Sequence, residues 1–331
     1  MLPMLLSTAL AQSPDIPEHS SSIGSYLQGT VERLRGETAT VTLEGGEIID
    51  AQVLTSNLKV GQEVVIWKVG QRYILEDTVR YPHLTQLFVL FLLVTVLFGR
   101  GKGMRAIIGT LLSLLVLFTF IIPQLTHGAN ILITTLGGIF GILVLTLYFV
   151  HGINPKTHAA LIGTTLSLLL GLLLTVHYSQ AMGISGNLEE ANYVSSTFFN
   201  FSALGGYITA VLLGTLGALN DVTVTQASVV QSLTLHQPPL APRDLYRRAM
   251  DVGLDHMGSL VNVLVLAYAA SALPLMLLWS RDPSPLWQKL NMEGFASEIL
   301  HILIGSICVL VAVPLTTWVA VWLFHPRKKT P

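Results

Sequence analysis

The sequence predicts an all-α polytopic membrane protein of about seven transmembrane helices, with eight as the alternative, preceded by a small all-β barrel-like domain. Three observations lead there. Of 331 residues, 51% are hydrophobic and only 11% charged, against roughly a quarter charged in soluble domains. The charges crowd into the first eighty residues and into short connections. From residue 84 onward, apolar windows of about 17–25 residues recur, long enough to cross roughly 30 Å of hydrocarbon.

Composition also excludes several classes. A formal net charge of -1 gives no bulk electrostatic case for nucleic acid. The single cysteine, Cys308, cannot form an intrachain disulfide and reads as a buried apolar thiol. There is no CxxC pair and no HExxH, so a zinc centre is not expected. His301 stands three residues after Glu298 and is read as structural.

Residues 1–11 read as a signal-like or membrane-associated segment, with Ala9-Leu10-Ala11 fitting a small-x-small cleavage pattern. Residues 12–25, rich in Ser and Pro, read as a flexible tether. Residues 26–80 alternate polar and apolar side chains in five short runs, such as ETATVTLEG and QEVVIWKVG. That period of two, punctuated by Gly, predicts strands of a small antiparallel barrel or sandwich. Gly45-Gly46 marks a hairpin turn, and Gly61 and Gly70 also punctuate the strands.

Residues 84–324 form the predicted transmembrane helical domain, with spans at about 84–98, 106–123, 131–150, 157–177, 203–219, 256–279 and 298–324. The fifth is open to continuation through residue 235 as a more polar helix or a re-entrant segment. Pro314 is expected to kink or interrupt the last span, and Pro274 the one before it. Residues 325–331 form a basic cytoplasmic tail.

Charge sets the orientation. Arg100, Lys102, Arg105, Lys156, Arg243, Arg247, Arg248, Arg327, Lys328 and Lys329 fall on one side, ten basic residues against two, Arg281 and Lys289. The positive-inside rule puts the C-terminus in the cytoplasm and, with seven spans, the β-domain outside a bacterial cytoplasmic membrane. An internal echo accompanies the pattern. Lys102, Gly109, Thr110 and Ser113 recur as Lys156, Gly163, Thr164 and Ser167, offset by 54 residues. The two glycines would allow close helix approach, with hydroxyls bonding across the contact.

Polar residues inside apolar spans are costly, and they single out a candidate ion or proton path. On a helix, Asp221, Thr225 and Ser228 line one stripe, and Asp255, Ser259 and Asn262 line another that begins at Asp251. The expectation is that the two stripes face one another and share a hydrated cavity. Competing readings are Asp221 as a helix cap and Asp255 as a first-turn carboxylate favoured by the helix dipole. Oxygen donors of this kind suit a proton or a hard cation. No catalytic residue, organic cofactor or metal ligand is assigned, and a bound cation is compatible with the donors.

The stretches GTLGALNDVTVTQASVV, GLDHMGSLVNVLVLAYAASALPLMLL, LNMEGFASEIL and GSICVLVAVPLTTWVAVW resemble the YibE/F-like family of bacterial multi-pass membrane proteins, over roughly residues 26–324. The family pattern near the second motif has arginine before the aspartate, a threonine where Ser259 stands, and a threonine where Val263 stands; here Leu254 precedes Asp255. The resemblance implies a membrane protein for which transport is commonly supposed. It supplies no catalytic residues.

Three function classes follow. A transporter or permease for a small ion or solute would use the intramembrane carboxylates. A membrane scaffold or envelope-assembly protein would use the β-domain to bind a protein partner. An intramembrane aspartyl enzyme would need Asp221 and Asp255 side by side, so that one pKa rises.

Overall fold

The computed structural model describes residues 24–54, 57–186, 202–235 and 240–324. The signal-like segment, nearly all of the tether, and the basic tail lie outside the described residues. The chain divides into two compact units between Val94 and Thr95, within the first long helix rather than at the end of the strands.

Among its described residues the first unit holds five strands: β1 (Ser25–Arg35), β2 (Thr38–Leu43), β3 (Ile48–Val53), β4 (Glu63–Val69) and β5 (Arg72–Thr78). They close into a barrel in the order β1-β2-β3-β5-β4. All neighbours are antiparallel except β3 and β5, which pair in parallel at Gln52–Ile74 and Val53–Leu75. Alternate side chains point inward, as the period of two requires. Val31, Val41, Ala51, Val64, Ile66 and Leu75 form the core and are essentially inaccessible to solvent. The register slips between Val31 and Arg33, a bulge that bends β1. Gly46 adopts φ 80° in the β2–β3 hairpin, a conformation that favours glycine.

Among the described residues, six helices are long and apolar enough to cross a membrane. The first, Tyr81–Thr126, comprises α1 (Tyr81–Val116), a π-helical turn (Leu117–Ile121) and α2 (Ile122–Thr126). At 46 residues it is about 69 Å of helix, more than twice the hydrocarbon thickness. It is broken at Arg100, whose φ of 49° and ψ of -138° are not helical. A side chain on Gly103 would collide with the carbonyl of Thr95, so the backbone turns back on itself between these two residues. In an unbroken helix those residues would stand about 12 Å apart along the axis.

The others are α3 (Ile131–His151), α4 (Pro155–Ala181), α5 (Ala203–Thr234), α6 (Pro242–Ser271) and α9 (Glu293–Phe324), with the short α7 (Leu273–Ser280) and α8 (Leu286–Leu290) between α6 and α9. α4, α5 and α9 form the centre of the bundle, α6 packs on α9 and α5, and α3 packs on α4 and α5. Asn130 and Asn154 cap α3 and α4, accepting from the N–H groups of Ile133 (3.2 Å) and Thr157 (3.0 Å).

Two sequence expectations change here. α5 is one unbroken helix of 32 residues, so residues 220–234 continue the fifth span and form neither a separate helix nor a re-entrant segment. α9 is not interrupted at Pro314. The neighbouring helices hold it, and the Thr317 hydroxyl donates to the Val313 carbonyl at 2.7 Å beside the proline. Pro274 does mark a break, since α6 ends before it and α7 starts at Leu273.

Candidate functional site

A cavity of about 530 Å³ lies among the second half of α1, the C-terminal half of α3 and the middle of α5. Its polar lining is Asp221, Asn220, His151, Thr146, Ser113 and Thr110. Apolar residues, among them Leu117 of the π-helical turn, Ile142 and Leu213, line the rest.

Helical spacing explains the polar set. Gly217 and Asp221 are four residues apart on α5 and share a face, with Asn220 beside them. With no side chain at Gly217, open space remains there: a Cβ would meet nothing within 4 Å. Three hydroxyls on the cavity wall donate to their own helix. Thr146 bonds to the Ile142 carbonyl at 2.7 Å, Ser113 to Gly109 at 3.0 Å and Thr110 to Ala106 at 3.1 Å. A hydroxyl that donates this way keeps oxygen lone pairs for another donor or a cation. Asn220 Oδ1 is buried and has no hydrogen-bond partner among the described residues. A buried acceptor left so costs free energy unless something enters to bond with it.

Asp221 is exposed and lies 18 residues after the start of α5 and 13 before its end, so it is no helix cap. Thr225 is exposed one turn on. Ser228 is half-buried and bonds back to Val224 at 2.7 Å. Neither is among the residues lining the cavity. Asp255, Ser259 and Asn262 are exposed on α6, and Asp255 lies 13 residues past Pro242, well beyond the first turn.

The two stripes are not brought together. α6 meets α5 through Gly253, where an added Cβ would lie 2.9 Å from Gln226 Oε1 and 2.6 Å from Val313 Cγ1. Gly253 and Asp255 are about 200° apart around the helix, so the polar stripe of α6 points away from α5. The expected shared cavity is therefore not formed between these helices. The aspartates do not form a side-by-side pair.

A second polar system lies buried between helices; the repeat pointed to a hydroxyl of the Thr164 kind bonding across a helix contact, and the rest of the system was not anticipated. Gln226 Nε2 donates to the Ala249 carbonyl at 2.9 Å and to Thr317 Oγ1 at 2.7 Å. Thr164 and Thr223 hydroxyls meet at 2.7 Å, as do those of Thr135 and Thr209. The repeat-related glycines lie at close contacts. A Cβ on Gly109 would lie 2.8 Å from Val150 Cγ2, and one on Gly163 would overlap Thr316. The matched serines both bond back four residues, Ser113 to Gly109 at 3.0 Å and Ser167 to Gly163 at 2.9 Å.

His151, which nothing in the sequence singles out, shares the cavity with Asp221. The π-helical turn was likewise unforeseen; such turns recur at functional sites. No group of three or more His, Cys, Asp or Glu side chains suited to a metal ion occurs among the described residues.

The chain matches the family described as YibE/F-like protein over residues 87–326. That is most of its length, and the chain belongs to this family. The match is narrower than the resemblance over 26–324 suggested, and it leaves the barrel strands outside. No curated protein and no solved structure matches the chain.

Proposed function

We propose that this member of the YibE/F-like family is a permease for protons or a small cation in the bacterial cytoplasmic membrane, with the Asp221 cavity on its path. The observation that carries this reading is the cavity's donor set: one carboxylate, an amide oxygen lacking a partner, and hydroxyl oxygens that donate to their own helices and keep lone pairs free. A single carboxylate fits a proton or a monovalent cation better than a tightly held divalent ion, which gathers several charged oxygens. His151 adds an imidazole whose ring nitrogens can donate or accept a hydrogen bond.

The break at Arg100 supports counting Tyr81–Thr126 as two crossings, giving seven. The basic connections then lie in the cytoplasm and the barrel outside. Asp221, Asn220 and His151 would form a site opening toward the cytoplasm. Thr225 and Ser228 continue the polar face of α5 beyond it.

Flux measured in proteoliposomes, for protons and for mono- and divalent cations, tests the proposal. Asp221→Asn is expected to lower flux at least about tenfold, with folding unchanged, because an exposed carboxylate is replaced by its isostere. Equal flux in the variant would take Asp221 off the path. No flux of any ion by folded wild type would favour the scaffold reading, in which the barrel binds a protein partner outside.

A further inference from the structure

We infer that the outward face of α6 is an interface with a second copy of this chain. The inward face of α6 is Leu245, Ala249, Gly253 and Met257, spaced by four and buried. The opposite face carries Arg248, Asp251, Asp255, Ser259, Asn262 and Leu266, all exposed. This helix is one of the six membrane-crossing candidates, over Pro242–Ala270. Asn262 is about 30 Å along it from Pro242 and about 12 Å from Ala270, at membrane depth. An amide facing lipid is costly and calls for a partner from another helix.

The order of charges selects the occupant. Arg248 precedes Asp251 by about one turn and Asp255 by about two, on the same face. Among the described residues none of these three forms an ion pair, the single salt bridge being Arg80–Asp77 in the other unit. Two copies in one membrane have the same orientation. A twofold axis along the membrane normal therefore sets two α6 helices side by side and parallel. Arg248 of each copy then stands one turn from Asp251 of the other. The Asn262 amides face each other near the axis, each able to donate and accept. Gly258, beside this face, lets the backbones approach, since a Cβ there meets nothing within 4 Å. The apolar run of α1 from Leu87 to Phe98 is also exposed but has no charged side chain to answer Arg248 or Asp255. The inference does not depend on the permease reading.

The test uses the full chain in native membranes. Cys308→Ser removes the one native thiol, which is buried. Single cysteines then replace Ser259, Asn262 or, as a control, Leu173, which is exposed on α4. Oxidation should give a band of twice the chain mass for positions 259 and 262 and not for 173. A symmetric parallel interface brings a residue close to its own copy, which no heterologous contact does. No dimer from both α6 positions, a crosslink to a different protein, or equal yield from Leu173→Cys would overturn the inference. Counting bleaching steps of labelled wild-type protein guards against variants that fail to fold: two steps support the interface, one step overturns it. Asn262→Leu should weaken association roughly threefold to twentyfold, the range of an interhelical hydrogen bond in a membrane.

Discussion

Helix α5 carries polar groups on two sides, and they are treated in opposite ways. Toward α4, α6 and α9, Thr223 and Gln226 are buried and bonded to Thr164, Ala249 and Thr317. Toward α1 and α3, Asp221 and Asn220 border a cavity, and Asn220 Oδ1 has no partner among the described residues. The first side has the character of an internal joint, where Thr223 and Gln226 each bond to a neighbouring helix. The second leaves acceptors unused in a place with room for a guest. A polar residue in a span thus does not by itself announce function; what separates the cases is whether the neighbours satisfy it.

That contrast predicts a graded set of effects. The largest is on transport: Asp221→Asn should reduce flux about tenfold or more while leaving thermal stability within about 0.5 kcal/mol, the usual range for a change at an exposed site. If Asp221→Asn instead unfolds the protein with no change in flux per folded molecule, the two sides of α5 are not distinct. Next comes Gly163→Leu, which would drive a side chain into Thr316 and wedge α4 from α9. Overpacking of this kind costs about 1–3 kcal/mol, and a lowered melting temperature in detergent would register it. Gln226→Leu should cost about 1–2 kcal/mol through its two lost hydrogen bonds, with flux per folded molecule unchanged. Flux falling as steeply as for Asp221→Asn would extend the path into the joint.

The smallest effect lies in the barrel unit. The Asp77 carboxyl is held below its ordinary value of 3.8, first by the hydrogen bond from Arg80 and then by the Thr78 N–H. A depressed carboxylate stabilises the fold above its unfolded value, and that contribution is lost as pH falls through the lowered one. Asp77→Asn should therefore lower stability slightly near pH 7 and flatten the acid limb of the stability curve, the two proteins converging at acid pH. Equal stability of the two proteins at neutral pH, or a difference that persists unchanged into acid, would contradict this account.

The strands were legible because period-two runs separated by glycine leave few alternatives; all five appear within a few residues of their predicted places. The spans were legible because lipid demands long apolar helices. The continuation of α5 was not, because Asp221-Val-Thr-Val-Thr-Gln lowers local hydropathy while the satisfaction of Thr223 and Gln226 comes from helices distant in sequence. Periodicity correctly put Asp255, Ser259 and Asn262 on one face of α6. It could not say which neighbour that face meets. Gly253 was the available cue, a small residue opposite the stripe marking the side of close approach. His151 was missed as a cavity residue because α1, α3 and α5 come together only in three dimensions.

The lengths of the helices carry one more consequence. α3 has 21 residues, about 31 Å, close to the hydrocarbon thickness of a typical bilayer. α5 and α9 have 32 each, about 48 Å, and must tilt or project from it. Lipid acyl-chain length therefore acts unequally on the two walls of the cavity: a thicker bilayer draws α5 upright while α3 has no length to spare. The opening between Thr146 and Asp221 is in this sense mechanically coupled to hydrophobic mismatch, and the composition of the surrounding membrane becomes part of what sets its width.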